Sequence, residues 1–254
     1  MAEKNKKAKP PRIITEEYEK LKNDFYKATL ARSERFKELK SQCSTSTIEQ
    51  CKEYLDKIIE NGNFDLHDLI SDANDNEFWL KNQDDTHAKN RLFEKAMGGK
   101  CDSLPIPDRN DGEIKLTQIT KEHNLEQVIT IGRIQPENCE KYPCFEQSCT
   151  FKKMQKMLVV SYVKEGGQLG RKLFNPFIFE VENPKWFSRI KEDWDYYHKE
   201  YYKSLKENHK KPSGYMKSDT SGGRCPNHTL GIRTDSIIIT KSFFQEVSEY
   251  YANI

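Results

Sequence analysis

The Gly98-Gly99 pair separates two kinds of periodicity, and that change constrains the fold more than any other feature of the chain. Before it, apolar residues recur at helical spacing. Tyr18, Leu21, Phe25, Phe36 and Leu39 fall near one stripe, and Ile48, Cys51, Leu55 and Ile58 step by three and four. Gly62 suits the stop of that second helix, and a third helix is expected over 86–97. Residues 64–80 show no clean period. After the glycines, EIKLTQI (113–119), EQVITIGRI (126–134), MLVVSYV (157–163) and LFNPFIFEV (173–181) carry the β-branched and aromatic residues of strands. An aromatic helix follows over 185–206, then a Lys/Gly/Ser/Pro-rich loop over 207–228. One or two strands are expected within 228–240 and a closing helix over 241–251. Helices, then a sheet, then mixed elements predict an α+β (mixed α/β) fold rather than regular βαβ repeats.

At 254 residues the chain can bury one sizeable core. Residues 1–13 are Lys/Pro-rich and predict a disordered basic tail. Residues 14–85 form an N-terminal helical portion, and 86–254 the main domain. Lysines and arginines number 42 against 40 acids, a net charge of +2, so any nucleic-acid binding must come from local basic patches. No run of about 18 apolar residues offers a membrane span, and the opening MAEKNKKAKPPR lacks the apolar core of a secretory leader. Seven scattered cysteines suggest reduced thiols and hence a cytoplasmic setting.

The chemistry concentrates at Glu94–Lys115. Asn110-Asp111-Gly112 is a strong turn signal, which sets Asp108 and Glu113 on either side of a hairpin or sharp bend, near solvent. Glu113 and Lys115 are two apart on a strand and share a face, while Ile114 points into the core. Two carboxylates with an ammonium suit phosphodiester hydrolysis: the carboxylates hold a hard divalent cation, and the lysine orients water or neutralises developing charge. The Ile114 main-chain carbonyl is a further candidate ligand, and Glu94 can approach from the preceding helix. The Glu-x-Lys triplet by itself is common in a chain this rich in charge, and its bland reading is an exposed ion pair worth little.

The segment resembles the PD-(D/E)xK endonucleases, most closely their MutH / MvaI-BcnI-like branch. Leu92-Phe93-Glu94 is similar to the family's helix with a metal-site glutamate, and Pro107-Asp108 followed by Glu113-Ile114-Lys115 to its defining motif. SCTFKKMQKMLVVSYV (148–163) resembles the segment that brings a further lysine, here Lys153. GRKLFNPFIFEVENPKWFSRIKEDWDYY (170–197) is similar to a strand and a helix with an Asp-Trp pair, here Asp193-Trp194, and GIRTDSIIITKSFFQEV (231–247) to the C-terminal strand and helix. The similarity spans roughly 90–254. It implies a restriction-endonuclease-like core, a central mixed sheet flanked by helices. It implies catalysis by Asp108, Glu113, Lys115, Glu94 and Lys153, with Mg2+ held by Asp108, Glu113, the Ile114 carbonyl and Glu94. Asp102, eleven residues before Glu113, competes with Asp108 as the metal aspartate.

The implied activity is that of a sequence-specific type II restriction endonuclease on double-stranded DNA, acting as a monomer or a DNA-induced dimer. A MutH-like nicking repair enzyme and a non-catalytic DNA-binding domain are the alternatives. Lys152, Lys153 and Lys156 form a basic cluster suited to phosphate contact. In the C-terminal loop, Lys217, Arg224, His228 and Arg233 are candidates for DNA contact, the arginines and histidine for guanine edges. Trp186, Phe187, Trp194, Tyr197 and Tyr201 read as helix core rather than as a base-stacking platform. Cys139, Cys144 and Cys149, and the Cys225/His228 pair, lack the tight spacing of structural zinc sites.

Overall fold

A computed structural model describes residues 40–60, 90, 93–99, 107–133, 142–164, 171–208, 226–233 and 236–254. The fold is mixed α and β. The elements used below are α1 (Ile48–Glu60), β1 (Glu113–Ile119), β2 (Ile129–Arg133), α2 (Cys149–Met154), β3 (Met157–Lys164), β4 (Arg171–Phe179), α3 (Phe187–Asn208), β5 (Leu230–Arg233), β6 (Ser236–Ile239) and α4 (Lys241–Ala252). Residues 40–45 and 93–96 are also helical. The expected helical stripe from Tyr18 to Leu39, the basic tail and the side chain of Tyr201 lie outside what is described.

Two three-stranded sheets form the centre. One has the order β1-β3-β4, with β1 parallel to β3 and β3 antiparallel to β4; the other, β2-β6-β5, is antiparallel throughout. Strand β1 runs as read from the sequence, but the second predicted strand starts later. Residues 126–128 instead bend back, with the Glu126 and Gln127 amides donating to the Gln118 carbonyl at 2.8 and 3.2 Å. Strand β4 carries a bulge: Val159 faces Phe177 and Ser161 faces Phe174, with Asn175 at φ 42° between. Asparagine tolerates that conformation, and Pro176 beside it has no amide to lose from the ladder.

Alternation along the strands sorts the core into two layers. Ile114 and Leu116 of β1 join Leu158, Val160 and Tyr162 of β3 on one face, covered by Cys43, Phe93 and Met97 and by Ile48, Cys51 and Leu55 of α1. The helical stripe read from the sequence is thus the buried face of α1. On the other face, Ile119, Met157, Val159, Phe177 and Phe179 meet the second sheet and helices α2–α4. Trp186 is fully buried there. Its ring stacks on Phe179 at 5.4 Å and meets Phe243 edge-on, and its indole N–H donates to the Glu180 carbonyl at 2.8 Å. Burial of side chains this large contributes roughly 2–3 kcal/mol each. The core reading of the aromatics holds for Trp186 and Trp194, while Phe187 and Tyr197 pack at its margin.

Helix α2 was not anticipated. Ser148 caps it by accepting from the Phe151 amide at 3.0 Å, and Phe151 and Met154 bury one side of its six residues. The basic cluster therefore lies on and after a helix rather than in a lead-in to β3. No described helix is long and apolar enough to cross a membrane.

Candidate active site

The Asn110–Gly112 turn forms as expected. Arg109 and Gly112 bridge through both backbone pairs, Arg109 N–H to Gly112 O at 3.0 Å and Gly112 N–H to Arg109 O at 3.4 Å. Glycine is required at 112 by close approach: a Cβ there would lie 2.5 Å from the Lys156 carbonyl oxygen and 2.8 Å from Ile48. That approach lets the Glu113 amide donate to Lys156 O at 2.9 Å and start the parallel register with β3.

Each carboxylate flanking the turn accepts a main-chain amide from the other side of it. Glu113 Oε2 accepts from the Asp108 amide at 2.9 Å, and Asp108 Oδ2 accepts from the Ile114 amide at 3.4 Å. Glu113 Oε1 receives two ammonium groups, Lys115 Nζ at 2.5 Å and Lys153 Nζ at 3.0 Å. Lys153 arrives from α2, on the far side of β2 in sequence. The expectation of a solvent-facing pair needs correction. Only the turn tip is open: Glu113 is 0% exposed and Asp108 5%. Lys153, Lys156 and the start of α1 close over the base of the hairpin, a long-range arrangement that local spacing cannot announce.

Burial sets the electrostatics. Burial first, then the charge of Asp108, pushes Glu94 up to about 7, against the opposing pull of Lys115. Asp108 is raised too, mainly by burial, with Lys115 opposing and Glu113 adding to the rise. For Lys115, burial works against the charge, but Glu113 and Asp108 outweigh it and leave its pKa above the ordinary value. Glu94 is seated by the glycines: the Gly99 amide donates to Glu94 O at 2.7 Å, and a Cβ on Gly99 would lie 2.9 Å from that oxygen and 3.5 Å from Asp108 Cβ. The carboxyl groups of Glu94, Asp108 and Glu113 thus lie in a largely buried space with two ammonium groups, and the first two are both pushed toward their neutral form.

This donor set fits a hard divalent cation. The Ile114 amide and carbonyl lie on the edge of β1 that faces away from β3, because Glu113 spends its amide on the β3 side and Ile114 on Asp108. Asp108, Glu113 and the Ile114 carbonyl therefore border one place. Among the described residues no three acidic, histidine or cysteine side chains form a ready-made cage. A cation here would rely on one or two carboxylates, main-chain oxygen and water, the habit of Mg2+.

The remaining predicted residues separate. Lys152 is exposed, 6.0 Å from the Tyr142 ring centroid, and Lys156 pairs with Glu49 at 2.5 Å. His228 is exposed, with φ 53°. Arg233 ends β5. Arg224, Lys217 and the competing Asp102 lie outside the described residues.

Two structural residues escaped the sequence reading in role. Asp193, fully buried on α3, accepts from the amides of Asn227, Thr229 and Leu230 at 2.9, 2.7 and 3.2 Å and from the Thr229 hydroxyl at 2.5 Å. It pins both neighbours of His228 to the helix. Arg109 is the second: its guanidinium gathers main-chain oxygens from distant segments, which leave no mark in a sequence. No protein-family model matches the chain, and comparison with curated proteins gives no significant match.

Proposed function

We propose that the chain is a Mg2+-dependent endonuclease of the PD-(D/E)xK type, in its MutH / MvaI-BcnI-like branch, acting as a sequence-specific restriction enzyme on double-stranded DNA. The observation that carries this reading is the convergence on Glu113. The main-chain amide of Asp108 from before the turn, the Lys115 ammonium from the same strand face and the Lys153 ammonium from forty residues away all reach one carboxylate. An incidental surface ion pair would not draw in a third and fourth group from other elements, nor would it be buried.

Asp108, Glu113 and the Ile114 carbonyl would hold the cation. When bound, Mg2+ supplies electrophilic stabilisation of phosphoryl charge and makes water more acidic. Glu113 is fixed by two lysines, so its carboxylate is oriented before any ligand arrives. Lys115, kept in its charged form by Glu113 and Asp108, stands with Lys153 where negative charge would grow on the phosphate during attack. Glu94, from the helix before the glycines, would supply a further oxygen for the cation or its water. Exclusion of bulk water from the buried carboxylates strengthens each of these interactions. DNA would be held by Lys152 and Lys156, and read by the C-terminal segment containing Lys217, Arg224, His228 and Arg233.

Incubation with a sequenced plasmid and Mg2+, followed by mapping of the ends, tests the reading. Fixed double-strand ends at a recurring sequence support a restriction enzyme. Nicked circles alone would favour the MutH-like repair alternative, and an intact plasmid under all metals the non-catalytic one.

A further inference from the structure

Arg109 stands beside Asp108 in sequence, but its side chain faces the other way, into the junction of three chain segments. Nη1 donates to Cys43 O at 2.7 Å and to Met97 O at 2.6 Å; Nη2 donates to Ser46 O; Nε donates to Asp111 Oδ1 at 2.8 Å. Its side chain is 8% exposed. Asp111 extends the arrangement, accepting the first amide of α1, Ile48 N–H, at 2.7 Å. Gly98 makes room: it adopts φ 74°, and a Cβ there would sit 2.8 Å from Arg109 Nη1 and 3.1 Å from Cys43 O. Met97 O lies within the turn that the Gly99 amide closes on Glu94 O, and Arg109 is itself a rung of the hairpin that presents Asp108 and Glu113.

We propose that Arg109 is the positioning residue of the acidic site, its guanidinium locking the turn after Glu94 and the entry to α1 onto the Asp108–Glu113 hairpin. The proposal rests on reading the cluster as a metal-dependent site. Only a planar fork with five donors can hold three carbonyls and a carboxylate at once. Lysine brings the charge as a single point and must leave some of these oxygens unpaired. The consequence is a role for the N-terminal helical portion: residues 43–48 belong to the wall that fixes the carboxylates. Without the fork, Glu94 and Asp108 lose their common reference, and the spacing between them is no longer fixed.

The test uses the full chain and Mn2+ as probe, its binding followed by the electron paramagnetic resonance of free Mn2+, alongside plasmid cleavage and DNA binding in Ca2+. Arg109→Lys is expected to fold, with Mn2+ affinity and cleavage rate each lowered about tenfold or more, the usual effect of removing a supporting partner. DNA affinity should stay within about twofold, since no DNA contact is removed. Asp111→Ala, which frees one arm of the fork and the Ile48 amide at the entry to α1, should show a smaller loss in the same direction. It decides the matter if Arg109→Lys does not fold. A folded Arg109→Lys or Asp111→Ala variant with wild-type Mn2+ affinity and wild-type cleavage overturns the proposal, even if its melting temperature falls. A chain that binds Mn2+ through Asp108 yet cuts no DNA contradicts the nuclease reading instead, and the Mn2+ comparison still decides the role of Arg109.

Discussion

Lys153 Nζ lies 3.0 Å from Glu113 Oε1, a buried contact between residues forty positions apart. The same oxygen carries Lys115, so Glu113 is the point where β1 and α2 are joined electrostatically. Lys153→Met should therefore slow cleavage about 10^2-fold or more, as loss of a group aimed at developing charge does. DNA affinity should change little. Lys152→Ala, one position away but exposed, should do the reverse: weaker binding at all sequences, a shallower salt dependence and a near-normal single-turnover rate. Single-turnover rates and salt titrations of both variants distinguish the two lysines, and equal effects would contradict the assignment.

Glu94 gives a pH prediction whose sign is set by its raised pKa of about 7, against about 4.3 unfolded. A carboxyl raised in this way favours the folded state while it is protonated. Its contribution is full below about pH 4 and is lost as pH rises through 7. In EDTA, Glu94→Gln should match wild type near pH 4 and exceed it in stability near pH 8, by on the order of 1–3 kcal/mol. Denaturant melts at the two pH values check this. A variant that is less stable at pH 8 would show that Glu94 is compensated in the free protein.

How far the sequence revealed this arrangement depends on the range of the interaction. Strand β1 was legible because a turn signal and a two-residue period coincide at 112–119, and α1 because its apolar stripe is three turns long. Helix α2 is six residues, too short for periodicity, and its remaining signal was Ser148 as a cap. The grouping of Glu113 with Lys115 follows from alternation. Its burial does not, because that depends on the Lys156 carbonyl and the entry to α1. The role of Asp193 was hidden for a related reason: its partners are mainly backbone amides at 227, 229 and 230.

Asp193→Ala should leave those three amides without their acceptor in a buried place. At about 1–3 kcal/mol per unsatisfied group, the loss of stability should reach several kcal/mol. Thermal melts read the effect, together with loss of amide-exchange protection at Thr229 and Leu230. A loss below about 1 kcal/mol would mean that water replaces the carboxylate.

The C-terminal segment should carry the base preference. Arg224→Ala, His228→Ala and Arg233→Ala are each expected to relax or abolish the choice of site with the fold retained, at about 1–3 kcal/mol of discrimination per lost base contact. Binding to a library of duplexes in Ca2+ measures this. Three variants with unchanged preference would move recognition elsewhere on the protein.

The most direct test of the acidic site compares plasmid cleavage by wild type and by Asp108→Ala in Mg2+, with circular dichroism confirming that both are folded. The account predicts fixed ends from wild type in Mg2+ or Mn2+, none in EDTA, and a rate lower by at least about 10^3-fold in Asp108→Ala with DNA binding retained. Cleavage that persists in excess EDTA, or a folded Asp108→Ala that cuts at the wild-type rate, would contradict it.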